Sequence, residues 1–146
     1  MFAGSLVRPL GGAIADRIGG VKALTAVFAA AALALVAVSM APTLVMAMAM
    51  FVLAMLALGV GNGSVFQLVP QRFAEEIGVM TGLVGMAGGV GGFYLASSLG
   101  VAKQFTGSYQ SGFLIFAGLC LVALGGLMTV KRRWRETWGA AADARI

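Results

Sequence analysis

The chain has 146 residues, of which 60% are hydrophobic and 10% charged, with a formal net charge of +5. Soluble domains carry charge at about a quarter of positions, so this composition excludes a water-facing globular surface. One cysteine and no histidine likewise exclude a disulfide framework or a Cys/His metal cluster.

The few charges are segregated. No Asp, Glu, Lys or Arg occurs between Lys22 and Arg72, or between Glu76 and Lys103. The apolar runs between them show no period-two alternation, so barrel strands do not fit. Helices satisfy their own backbone in lipid, and the expected fold is an all-α, polytopic helical bundle in the bilayer.

Residues 1–15, MFAGSLVRPLGGAIA, are apolar but rise only about 22 Å as a helix, against a hydrocarbon core of about 30 Å. They are expected to be a transmembrane helix whose start is missing. A signal peptide does not fit, because no basic segment precedes the run and Arg8 interrupts it. Pro9 cannot donate a backbone hydrogen bond and should bend this helix beside Arg8. Residues 16–22 follow as a cytoplasmic loop, and residues 23–40 as a transmembrane helix ended by the APT stretch with Pro42. A second full span covers 43–69. Residues 70–76 are a cytoplasmic loop, 77–99 a helix, 100–111 an external loop, 112–130 the last helix and 131–146 a cytoplasmic tail.

Arg17, Lys22, Arg72, Lys131, Arg132, Arg133 and Arg135 then fall on one side, with Lys103 on the other. By the positive-inside rule that side is cytoplasmic, which gives a multi-pass membrane protein with its C-terminus inside. Trp134 and Trp138, one helical turn apart, suit an interfacial anchor. Residues from Ala140 onward are expected to be disordered. The basic loops explain the net charge, so no nucleic-acid partner is expected. Cys120 is read as a small lipid- or core-facing residue, and the nine methionines as packing filler.

Counting from the cytoplasmic side at 1.5 Å per residue, Arg8 lies about 12 Å deep, Asn62 about 15 Å, Phe66 about 9 Å and Gly85 to Gly89 about 14–20 Å. These residues share one slab near the midplane. A central arginine costs at least about 2.5–3.5 kcal/mol, and such residues usually face a cavity and mark a pathway. Its planar fork of donors suits a planar oxyanion. No acid of this chain reaches that depth.

The stretch TGLVGMAGGVGGFYLA holds Gly82, Gly85, Gly88, Gly89, Gly91 and Gly92. With Gly78, most of them lie on one helix face, a spacing that lets helix backbones approach closely in lipid. For Gly85, Gly88 and Gly89, a bare main chain at arginine depth would also let a small ion touch the backbone, or let the helix slide. Gly59 and Gly63 repeat the i, i+4 spacing on the preceding helix. Neither run opens a helix after a strand in G-x-G-x-x-G register, so the match to a nucleotide fingerprint is rejected.

RPLGGAIADRIGG, residues 8–20, resembles the second-half copy of the cytoplasmic-loop motif of the major facilitator superfamily. GNGSVFQLVPQRF, then GVMTGLVGMAGGVGGFYL, resemble the signature region of its nitrate/nitrite porter branch, the NarK-type carriers, and GSYQSGF before the last helix is similar too. The resemblance covers residues 4 to about 130. It implies the C-terminal part of a twelve-helix carrier, about helices 8–12, with nitrate and nitrite as substrates and a missing N-terminal half as partner. Arg8 matches that family's second-half substrate arginine, Phe66 an aromatic packed on the anion, and Gly85, Gly88 and Gly89 the second nitrate-signature glycines. Asn62 sits inside the matched motif. Asp16 and Arg17 match the loop motif, either as a gating contact between helix ends or as a cytoplasmic anchor.

Carriers of this kind bind substrate between two halves, so these helices alone imply half a site and no transport. Asp16, Glu75 and Glu76 all lie at the cytoplasmic boundary, which favours nitrate/nitrite exchange over proton-coupled uptake. Two other readings stand beside this one: a fragment of a carrier for another small anion, or a non-transporting membrane polypeptide that pairs with a separate N-terminal half. With no nucleophile–base pair or metal-ligand set, neither an enzyme nor a cofactor is expected.

Overall fold

The computed structural model describes residues 2–138, with the backbone alone at residues 2, 3, 72 and 134–138. The expected disorder beyond Ala140 and the side chains of Trp134 and Trp138 lie outside the described part. Six helices follow in order: α1 (Phe2–Leu6), α2 (Arg8–Ile18), α3 (Gly20–Met40), α4 (Leu44–Arg72), α5 (Ile77–Thr106) and α6 (Gln110–Trp138). Four of them, α3 to α6, are long and apolar enough to cross a membrane. The chain is an all-α, multi-pass membrane bundle.

The N-terminal apolar run is not one helix. It breaks at Val7, and α2 restarts with Pro9 in its first turn. A proline at position 9 has no N–H to return to Ser5, so the first ladder bond across the break is the one from Gly11 N–H to the Val7 carbonyl, 3.1 Å. Arg8 is therefore the first residue of α2, beside the break.

Helical geometry also runs through segments that hydropathy marks as connections. α2 continues to Ile18, and only Gly19, at φ 94°, separates it from α3. That backbone conformation favours glycine. α4 continues through Pro70, which deletes a single bond near its end. α5 runs on to Thr106, where Gly107 at φ 70° takes the left-handed cap and returns its N–H to the Lys103 carbonyl at 2.9 Å. The Lys103 ammonium sits 4.6 Å from the centre of the Tyr109 ring and braces this short turn. Hydropathy sees only the part of a helix that lipid selects. The polar ends keep their ladder because it is internal to the helix.

α3 is the centre of the bundle. Its buried residues Val21, Leu24, Val27, Ala31, Leu35 and Val38 recur every three or four positions, the period of a helix face. α3 packs on α4 and α6, and α2 packs on α4. Leu35, Ala54 and Ala117 close the core where α3, α4 and α6 meet. Phe51 stacks edge-to-face on Phe113 at 6.0 Å, and Tyr94 on Phe116 at 6.4 Å. α5 has no buried residue and, among the described residues, packs only on α4 and α6.

Candidate functional site

α2 and α4 lie side by side with their backbones almost in contact. A Cβ added at Gly59 would overlap the Gly4 carbonyl and come within 2.8 Å of a Val7 methyl. One added at Gly63 would overlap the Arg8 carbonyl oxygen and reach Gly12 N at 3.1 Å. From the other side, a Cβ at Gly11 would fall 2.9 Å from Val60 Cα. Small residues at i, i+4 thus do on α4 what their spacing predicts. The pairs Gly4–Gly59, Arg8–Gly63 and Asp16–Gln67 rise together along both helices, so α2 and α4 run parallel.

Two hydrogen bonds cross this seam. Ser64, fully buried, donates through Oγ toward the Gly11 carbonyl at 3.1 Å and the Val60 carbonyl of its own helix at 3.0 Å. At the far end of α2, Gln67 Nε2 donates to Asp16 Oδ1. Arg17 is exposed beside it.

Arg8 stands on the same seam, its main chain against Gly63 and its side chain exposed. Among the described residues no acid pairs with it. Asn62 flanks Gly63, and its Oδ1 is buried without a hydrogen-bond partner among the described residues; so is Gln67 Oε1. Phe66, one turn on, keeps part of its ring exposed, at 37%. The structure therefore gathers Arg8 with the α4 segment that carries Asn62 and Phe66.

It does not bring the α5 glycines there. No α2 residue comes within 8 Å of α5, Cα to Cα. A Cβ added at Gly85, Gly88 or Gly89 would meet nothing within 4 Å. The same spacing that seats α4 on α2 leaves an open face on α5.

A cavity of about 330 Å³ lies between α3, α4, α5 and α6, lined by Phe28, Phe51, Tyr94, Phe113, Phe116 and Cys120 among others. Its wall is apolar and presents no cation, so it is no place for an anion. No set of three His, Cys, Asp or Glu side chains among the described residues could hold a metal.

No family model matches the chain, and no solved structure does. Curated proteins do. The chain is 33% identical over 132 residues to the nitrite extrusion protein of Bacillus subtilis (strain 168), covering 90% of the chain and 33% of that protein. It is 35% identical to the probable nitrate transporter NarT of Staphylococcus carnosus (strain TM300), covering 90% of the chain and 34% of that protein. The likeness is to proteins named for nitrite extrusion and nitrate transport. The chain spans about one third of the length of the curated relatives it matches.

Sequence reasoning missed Gly4, Gly11, Ser64 and Gln67 as parts of the seam that α1 and α2 make with α4. The signal for two of them was present: Asn62, Ser64 and Gln67 are polar residues in an otherwise apolar stretch, and a polar group in lipid needs a partner. What the sequence lacks is the identity of that partner, 51 or more residues away.

Proposed function

We propose that this chain forms the second-half portion of a carrier for nitrate and nitrite, with Arg8 as its anion ligand. The observation that carries the reading is Arg8 itself. Its side chain is exposed and unpaired by any acid among the described residues, its backbone is seated on α4, and its spacing from Asp16 favours a position within the membrane. A guanidinium offers two parallel N–H donors to a planar oxyanion. Phe66 can turn its positive ring edge toward the same charge, and Asn62 adds a carboxamide alongside. The open face at Gly85, Gly88 and Gly89 would approach the anion by main chain once the remaining half of the carrier closes the site between two halves. Asp16 and Arg17 bracket the cytoplasmic end of α2, where the Gln67 bond to Asp16 suits a gating contact. The carrier sits in a bacterial inner membrane with its C-terminus in the cytoplasm, as the basic residues favour.

With Asp16, Glu75 and Glu76 read at the membrane boundary, exchange of nitrate for nitrite is the mode we expect. In cells that depend on this protein for nitrate entry, nitrate uptake should survive a proton uncoupler when nitrite is supplied inside. Oxalate, a larger dianion, in about tenfold excess should leave it largely intact, because a site that selects the smaller ion discriminates by more than a tenfold affinity step of about 1.4 kcal/mol. Collapse with the uncoupler would replace exchange by proton coupling. Full competition by oxalate would reassign the carrier to small carboxylates.

A further inference from the structure

Resting on the reading of Arg8 as the anion ligand, we propose that Gly63 and Ser64 are positioning residues, which fix the register of α2 on α4 and with it the depth of the Arg8 side chain. Arg8 needs such an anchor. It is the first residue of α2, next to the break at Val7, where the ladder of the preceding turn does not hold it.

Gly63 touches the main chain of Arg8 directly. A Cβ at position 63 would overlap the Arg8 carbonyl oxygen, lie 3.0 Å from its carbonyl carbon and 3.1 Å from Gly12 N. These are backbone atoms and cannot swing aside as the tip of a side chain would. Ser64 adds direction to the contact. Its buried hydroxyl reaches the Gly11 carbonyl at 3.1 Å, three residues past Arg8, and a slip along the helix axis would break that bond. The Gln67 bond to Asp16 marks the same register at the other end of α2. A slip of one residue moves Arg8 by about 1.5 Å in depth. In enzymes, misplacement by about 1 Å can cost on the order of 100-fold. Small displacements at position 63 should therefore weaken anion binding well before they unfold the bundle.

The test uses the full-length protein in membranes and two separate readouts. Register is read by the yield of disulfide in an Asp16→Cys/Gln67→Cys double variant that also carries Cys120→Ala. Anion binding is read by the KM and maximal rate of nitrate uptake in single variants that retain Asp16 and Gln67. Gly63→Ala should lower the disulfide yield at least about threefold and raise KM at least about tenfold, with the maximal rate within about twofold. Ser64→Ala should move both in the same direction, with KM up about threefold, as expected for loss of one hydrogen bond. Gly78→Ala, where an added Cβ meets nothing within 4 Å, should change neither.

An unchanged disulfide yield in Gly63→Ala would overturn the proposal. So would a lowered yield with unchanged KM, which would make the seam packing alone. If Gly63→Ala does not accumulate, Ser64→Ala decides, and an unaltered KM there overturns it. If the double variant forms the disulfide while the parent protein, which retains Asp16 and Gln67, takes up no nitrate, the nitrate reading falls and the positioning role with it, while the seam stays in place.

Discussion

Arg8→Ala is expected to lower nitrate uptake by at least about 100-fold at nitrate concentrations below KM, without lowering the amount of protein in the membrane. Two charge-assisted hydrogen bonds are each worth about 1.5–3 kcal/mol, and about 1.4 kcal/mol is a factor of ten. Arg8→Lys keeps the charge but loses the planar fork, so a smaller loss of about tenfold is expected. Membrane protein level, read by immunoblot, should hold steady or rise, because a central arginine opposes insertion by at least about 2.5–3.5 kcal/mol. The two directions together separate a ligand from a structural residue. A structural arginine would lose protein and activity in parallel when replaced. Uptake by Arg8→Ala at the parental level would remove Arg8 from the site.

Gly11→Val should separate α2 from α4. A Cβ at Gly11 falls 2.8 Å from the Val60 carbonyl carbon and 2.9 Å from its Cα, and valine adds two methyl groups beyond it. Overpacking of a core commonly costs about 1–3 kcal/mol and occasionally more. Here backbone meets backbone, and the Ser64 bond to the Gly11 carbonyl would be lost as well, so a destabilisation of about 3 kcal/mol or more is expected. Gly12→Val is the matched control. It sits one residue away in the same helix, yet a Cβ there meets nothing within 4 Å. Reversible unfolding in mixed micelles should show a large loss for Gly11→Val and a change within about 0.5 kcal/mol for Gly12→Val. Equal behaviour of the two variants would mean that the close approach of α2 and α4 is not present in the membrane.

The contrast between these neighbouring glycines shows what the sequence can and cannot convey. Hydropathy marks four apolar stretches because lipid selects composition directly, and the structure has four helices long and apolar enough to cross a membrane. Helix ends were less legible. Lys103 and Lys131 lie inside helices whose backbone needs no lipid to stay paired, so polarity alone misplaced the connections. Gly19 is a further case: it turns the chain by itself, at φ 94°, where a seven-residue loop was expected.

At the site, residue type was more legible than residue partnership. Arg8 stood out through its charge, and Asn62 and Phe66 through their place in an apolar helix. Spacing did not reveal which glycine face would be used. Gly59 and Gly63 on α4 press against Gly4 and Arg8, whereas Gly85, Gly88 and Gly89 on α5 face open space. Both sets follow the same three-or-four pattern, and only the fold distinguishes a packed face from a free one. Gln67 and Asp16 are joined by a hydrogen bond across 51 residues, a pairing that requires α3 to bring α2 and α4 together first.

The most direct test of the central claim is counterflow in liposomes reconstituted with the full-length protein. Vesicles loaded with nitrite are placed in dilute labelled nitrate, and the initial rate of nitrate entry is compared with that into vesicles without internal nitrite. The account predicts that internal nitrite accelerates nitrate entry at least about tenfold, and that Arg8→Ala abolishes the acceleration, in line with the loss of two charge-assisted bonds. Nitrate entry no faster than into protein-free liposomes, with the protein inserted and folded, would contradict it.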